Sequence, residues 1–180
     1  MKRIYSLCIS LMPLMICSGM VYSIFSLYFF DLGISRTRIG LIYTAGSLSG
    51  SVCSPLFGRI SDRVGRKPII ILSFAIFSLV FFLYAISRSF LGILPIQMLE
   101  GAMWAAFSVV TPAFIADIAR DGERGAYLGL YNQVWYIGWA IGPLFGGFLT
   151  DAFGFQSSFI ICSLSLLLGL GLVLRLVRED

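Results

Sequence analysis

The sequence predicts an all-α membrane protein in which six transmembrane helices form two inverted three-helix repeats. Three observations predict it. Charged residues make up 12% of the 180 positions and hydrophobic residues 58%, whereas a soluble domain carries about a quarter charged residues. The charge that remains gathers between long uncharged runs, and a motif around Asp62 recurs around Asp151.

The runs define the elements in order. Residues 4–30, 39–58, 68–87, 125–150 and 152–174 contain no Asp, Glu, Lys or Arg, and 89–116 contains only Glu100. A hydrocarbon core of roughly 30 Å takes about 20 helical residues, so each run is long enough to span it. Helices are expected at 4–29, 39–59, 68–87, 91–116, 125–149 and 156–176, as a single bundle over 1–180. Continuous stretches such as Ile69-Ile70-Ile71-Leu72 oppose a β-barrel, whose strands alternate apolar and polar residues. The first run is too long for a signal-peptide core and lacks a small-x-small cleavage site, so it reads as a retained helix.

Several chemistries are excluded. The chain has no histidine, which removes His-based zinc sites and Ser-His triads. Cys8, Cys17, Cys53 and Cys162 lie inside apolar runs without metal-ligand spacing and read as small buried thiols. Neither an enzyme, a cofactor nor a nucleic-acid partner is expected.

Lys and Arg collect on the cytoplasmic side of membrane proteins. Under six spans, Lys2, Arg3, Arg59, Arg63, Arg66, Lys67, Arg120, Arg124, Arg175 and Arg178 fall on one side, against Arg36, Arg38 and Arg88 on the other. Both termini are therefore expected in the cytoplasm, in a multi-pass protein of the cell (inner) membrane. Ser54-Pro55-Leu56-Phe57-Gly58-Arg59-Ile60-Ser61-Asp62-Arg63-Val64-Gly65 is echoed by Gly142-Pro143-Leu144-Phe145-Gly146-Gly147-Phe148-Leu149-Thr150-Asp151-Ala152-Phe153-Gly154, with one residue inserted. The first copy ends the second helix and the second copy ends the fifth, on opposite faces. Duplicated triplets of inverted topology underlie several transporter folds. Gly46, Gly50, Ser54 and Gly58 recur every fourth residue, as do Gly138, Gly142 and Gly146, so each set makes a flat helix face for close backbone approach. Such faces serve either tight packing within one bundle or a rocking interface.

The segment Gly58-Arg59-Ile60-Ser61-Asp62-Arg63-Val64-Gly65-Arg66-Lys67 resembles the signature loop between the second and third helices of the major facilitator superfamily. It keeps the glycines, the Asp-Arg pair and the Arg-Lys. Asp117 stands where that family places an acid at the cytoplasmic end of the fourth helix, and Asp121-Gly122-Glu123-Arg124-Gly125 resembles the next cytoplasmic loop. Gly138-Trp139-Ala140-Ile141-Gly142-Pro143-Leu144-Phe145-Gly146-Gly147 resembles a fifth-helix motif associated with antiporters, including proton-coupled drug exporters.

The resemblance implies half of a twelve-helix major facilitator fold, with the features of the amino-terminal half. Arg175-Leu176-Val177-Arg178-Glu179-Asp180 reads like the start of the central linker. A fragment, a truncated reading frame, a split-gene product and a half-transporter that dimerises all fit. The implied function is secondary active transport of a small-molecule substrate by alternating access, as proton-coupled efflux, with the lipid bilayer, protons and a second six-helix half or homodimer partner. The rival is a membrane scaffold or relic half that binds a partner and carries nothing.

Gly58, Asp62, Arg63, Gly65, Arg66, Lys67 and Asp117 are then candidates for a gating latch, because charge-assisted bonds at one face bias a rocking equilibrium. Asp62 and Arg66 are four apart, and Arg66 is within reach of Asp117. The competing reading is a basic anchor with no gating role. Glu100 lies about 12 Å into its span at about 1.5 Å per residue. A charge at that depth costs roughly 2.5–3.5 kcal/mol, so Glu100 is a candidate proton or cationic-substrate site, or a neutral structural acid. Gln97 occupies the place where the family often carries an arginine. Asn132 and Gln133, adjacent amides in an apolar run, complete the candidate set because buried amides need partners.

Overall fold

The structure, a computed structural model, describes residues 2–120 and 122–177. Asp121 of the second charged loop, and Arg178, Glu179 and Asp180 of the terminal segment, lie outside the described residues. The described residues form five helices: α1 Lys2–Asp31, α2 Arg36–Val64, α3 Arg66–Ile86, α4 Phe90–Ile118 and α5 Arg124–Leu176. Four of them, all but α2, are long and apolar enough to cross a membrane. The α2 sequence is richer in Gly, Ser and Thr, which lowers its hydropathy although it is as long as α4.

The expected boundaries differ from these in two ways. Each helix overruns its charge-free run, because a helix keeps its backbone hydrogen bonds satisfied as it leaves the apolar zone and long charged side chains reach outward. Most of residues 60–67, expected as the connection between the second and third helices, is accordingly helical, and only Gly65 interrupts it, at φ 92° and ψ 163°. An L-residue rarely adopts that conformation, so glycine sets the reversal between α2 and α3.

The second difference is in element count. The helices expected at 125–149 and 156–176 form one run of 53 residues, about 80 Å if straight. It is not straight. Gly154 is non-helical at φ 81° and ψ 167°, nearly the conformation of Gly65. Before it, α5 follows α1 in the same direction, with Gly138 against Met15 and Gly146 against Met20. After it, Phe159 packs on Tyr28, Cys162 on Cys17 and Gly169 on Pro13, so the chain returns along α1 in the opposite direction. The run is a hairpin of two helical arms that meet at Gly154.

Helix α1 lies at the centre, with Ile4, Leu7, Leu11, Leu14, Met15, Val21, Phe25 and Phe29 fully buried. Around it the close contacts are made by glycine. A Cβ on Gly142 would sit 2.8 Å from the Gly19 Cα, and one on Gly50 would sit 3.0 Å from the Gly101 carbonyl oxygen. The two stripes foreseen in the sequence therefore seat α5 on α1 and α2 on α4. Lipid tails offer helices little hydrophobic reason to associate, so close packing of this kind is the main attraction. Buried serine hydroxyls are satisfied locally or across helices: Ser18 donates to the Leu14 carbonyl at 2.6 Å, while Ser78 and Ser163 donate to each other's carbonyls at 2.9 and 2.8 Å. Ser35 and Ser89 cap α2 and α4 by accepting from the backbone N–H of Arg38 and Gly92.

Replacement of Gly142 by Leu is expected to destabilise the bundle by about 1–3 kcal/mol, because the side chain meets α1 backbone. Gly147→Ala, whose Cβ would meet nothing within 4 Å, is expected to be neutral. Thermal unfolding of the two variants in detergent checks this, and equal stabilities would refute the packing argument.

Candidate functional site

Two places in the bundle gather the polar groups. The first is a cavity of about 490 Å³ between α1, α2 and α4. Its walls include Tyr22 from α1, Tyr43, Ser47 and Ser51 from α2, and Gln97 and Trp104 from α4. Glycine makes room for it: Gly46 and Gly101 bring the α2 and α4 backbones together at one level, and Ser47, Ser51 and Ser54 line the opening.

Glu100 stands behind this wall, completely buried. Its Oε2 lies 2.8 Å from the Tyr84 hydroxyl, and its Oε1 is 3.4 Å from the indole N–H of Trp104. The same Tyr84 hydroxyl lies 2.9 Å from Gln97 Oε1. Among the described residues no cation pairs with Glu100, and Arg66 forms its ion pairs elsewhere, with Asp62 and Asp117. The carboxyl is therefore held by neutral donors in an apolar setting, where a fixed charge is costly. Above it the Tyr22, Trp104, Trp135 and Trp139 rings close a circuit, with centroid separations of 6.5, 5.5, 6.1 and 5.6 Å in turn. That circuit ties α1, α4 and α5 together beside the cavity.

Asn132 and Gln133 are not brought to Glu100. Both are exposed on α5 and neither lines the cavity. Successive helical residues point about 100° apart, so two adjacent amides do not converge on one partner. Tyr84 is the residue that sequence reasoning passed over. Its signal was a polar tip inside the apolar run Phe81-Phe82-Leu83-Tyr84, since a buried tyrosine hydroxyl usually finds a partner.

The second place is the charged end, where Arg3, Ser61, Asp62, Gly65, Arg66 and Asp117 surround a hollow of about 520 Å³. Arg66 is its hub. The guanidinium Nη1 is 2.6 Å from Asp62 Oδ1 and donates to Ser61 Oγ at 2.6 Å, and Nε donates to Asp117 Oδ2 at 3.2 Å. Three partners on two helices thus share one planar fork, a geometry that a lysine ammonium does not reproduce. Arg66 is 22% exposed, against 63% for Asp62 and 58% for Asp117. Both acids keep much of their surface open to a further partner. Arg63 is exposed, Lys67 is half-buried in the first turn of α3, and Gly58 faces Val109 of α4. Of the Gly138–Gly147 segment, Gly138, Gly142 and Gly146 are buried against α1, Pro143 lies beside Gly19, and Gly147 points to open space.

Comparison with known proteins places this arrangement in context. The family model described as Major Facilitator Superfamily matches residues 7–180. An MFS-type transporter of Methanocaldococcus jannaschii is 29% identical over 161 residues, covering 89% of this chain and 42% of the relative. The quinolone resistance protein NorA of Staphylococcus aureus is 29% identical over 153 residues, covering 83% of this chain and 39% of NorA. The chain thus spans about two-fifths of the length of these curated relatives. Among solved structures, the human organic anion transporter MFSD10 (TETRAN) superposes with a TM-score of 0.78 at 17% identity, over 98% of this chain and 47% of that one. The last likeness is one of fold.

The exposed carboxylates limit each Arg66 pair to about 0.2–1 kcal/mol. Arg66→Ala is expected to cost more than Asp62→Asn or Asp117→Asn singly, because it strands both acids and Ser61 together. A double-mutant cycle by thermal unfolding should show non-additive losses for Arg66 with either acid, and strict additivity would contradict the shared fork.

Proposed function

The chain belongs to the major facilitator superfamily, and from that membership we propose that it supplies one half of a secondary active transporter that moves a small solute by alternating access, as proton-coupled efflux. The observation that carries this reading is Glu100, a buried acid without an ion-pair partner among the described residues, set directly behind a cavity wide enough for a small organic molecule. An acid in that setting binds and releases a proton as the cavity changes its exposure, and the cost of leaving it charged couples the two events. Likeness to a protein named for quinolone resistance supports an organic solute and outward movement.

Six spans in two inverted triplets fit the chain, with α5 contributing two. The matched backbone conformation of Gly65 and Gly154 supports the duplication, as does the reciprocal pair of hydrogen bonds between Ser78 and Ser163, the pattern expected near a two-fold axis. Arg3 shares an end of the bundle with Asp62, Arg66 and Asp117, and by the positive-inside rule this supports a cytoplasmic side for that basic end and for both termini.

Alternating access needs two halves that rock about a shared site. The second half is a carboxy-terminal six-helix bundle or another copy of this chain. The Arg66 cluster is the latch: its open carboxylates accept donors from the facing half in the outward-facing state, and their release permits the inward-open one. The Gly138–Gly147 stripe keeps α5 on α1 while the halves move. The relatives are more than twice as long as the matched segment, which favours one other reading, a half that docks on a partner without carrying solute.

Everted vesicles containing the chain alone, or co-expressed with a six-helix carboxy-terminal half, separate these readings when a fluoroquinolone is supplied under an imposed proton gradient. Gradient-driven accumulation by the two-half assembly is expected. Asp62→Asn should reduce it several-fold without loss of membrane insertion, and Glu100→Gln should abolish its dependence on the gradient. A chain that stays monomeric and inert with every partner would sink the transport reading.

A further inference from the structure

A count of hydrogens at Tyr84 leads one step beyond the site. A tyrosine hydroxyl has one hydrogen to donate, yet Tyr84 Oη lies 2.9 Å from Gln97 Oε1 and 2.8 Å from Glu100 Oε2. The phenol has one hydrogen for two acceptors. With the Gln97 amide oxygen on this side, each contact becomes a full hydrogen bond when the second hydrogen comes from Glu100 as a carboxylic acid. The order of donation is then Glu100 O–H to Tyr84 Oη, and Tyr84 O–H to Gln97 Oε1. Gln97 is 4% exposed, Glu100 and Tyr84 not at all, so bulk water does not replace either bond. The titratable groups facing Glu100 are Tyr84 from α3, Tyr22 from α1 and Tyr43 from α2, while α5 brings uncharged rings to this level, Trp135 against Trp104, Trp139 against Tyr22 and Phe159 against Tyr84.

Loss of the Glu100 proton to water reverses the order. The carboxylate becomes an acceptor only, and the Tyr84 hydroxyl turns its hydrogen to it. Tyr84 Oη is then left as an acceptor, and Gln97 satisfies it by turning its amide over so that Nε2 donates. Only Glu100 changes its number of hydrogens. Gln97 can express that change outwardly because its amide lines the cavity, with Nε2 at present on the side of Gly46.

We propose that Glu100, Tyr84 and Gln97 form a relay in which the proton on Glu100 sets which end of the Gln97 amide the cavity presents. With Glu100 protonated, the cavity offers an amide N–H donor and favours solutes that accept hydrogen bonds. With Glu100 ionised, it offers a carbonyl and favours solutes that donate, such as those with ammonium, amide N–H or hydroxyl groups. Tyr84 is the positioning residue that transmits the change. Release of the proton and capture of a donor-bearing solute are thereby linked. The relay rests on the reading of Glu100 as the proton site.

The test is pH-difference infrared spectroscopy of the lipid-reconstituted chain carrying isotope-labelled glutamine. A carboxyl C=O band that titrates and vanishes in Glu100→Gln is expected, together with a glutamine side-chain amide band that changes over the same pH range and vanishes in Gln97→Met. In Tyr84→Phe the carboxyl band should still titrate while the amide band stays fixed. An amide band that titrates undiminished in Tyr84→Phe, or is static in the native chain, overturns the relay and leaves the proton site standing. A carboxyl band that never titrates overturns both. If Tyr84→Phe loses its helical content, Gln97→Met decides: the relay requires the Glu100 midpoint to move in that variant, and an unmoved midpoint refutes it.

Discussion

Close approach of helix backbones at glycine is the constraint on which the rest of this structure depends. Inside a bilayer, one helix gains little by leaving lipid for another helix unless the two fit at short range. Gly138, Gly142 and Gly146 provide that fit between α5 and α1, and Gly46, Gly50 and Gly101 provide it between α2 and α4. Both interfaces draw the helices tight along one line and leave them apart on either side of it. The cavity beside Ser47, Ser51 and Trp104 is a consequence of that geometry. Cavity and packing are therefore one feature of the sequence: the small residues that permit contact also withhold the side chains that would fill the opening.

Polar groups in the apolar interior follow a strict economy. Serines return their hydrogen to a carbonyl one turn back, as Ser18 and Ser73 do, or share it across helices, as Ser78 and Ser163 do. Tyr28 reaches the carbonyl oxygens of Tyr84 and Ser87 and holds the end of α3 against α1. Glu100 stands apart as the buried acid, its carboxyl held by an indole and by the phenols of Tyr84 and Tyr22, with Tyr84 also facing Gln97. A phenol placed between a carboxyl and an amide oxygen is sensitive to whether the carboxyl carries a proton. That sensitivity makes the cavity more than a gap in packing. At the charged end the logic is opposite, since Arg66 gathers two acids that remain more than half exposed, and its ion pairs are cheap to remake.

Much of this was legible in the chain because two signals were strong. Charge-free runs mark helices without reference to tertiary structure, and glycine recurring every fourth residue marks a face that another backbone is to touch. The Asp62, Arg66 and Asp117 cluster was legible from spacing and family resemblance. Less legible was the continuity of α2 through the charged segment, since a run of charges looks like a loop while the backbone needs only one positive-φ glycine, Gly65, to reverse. The pairing of Gln97 with Glu100 through Tyr84 was hidden, because Tyr84 lies on another helix and nothing local points it there. Asn132 and Gln133 misled for the same reason. An amide in an apolar run demands a partner only if it faces inward, and the direction a helix faces is decided by its neighbours.

By itself, then, the amino-acid sequence determined that this chain is helical and membrane-compatible, where its helices lie, which of their faces are flat, and where its charges collect. These are properties of composition and period, which the backbone imposes locally. Tertiary structure alone decided that α5 folds back at Gly154 along α1, that the α2 stripe meets α4, and that a buried acid, a phenol and an amide meet behind a cavity. Those are relations between residues far apart in the chain. They exist only once packing has chosen which helix faces meet.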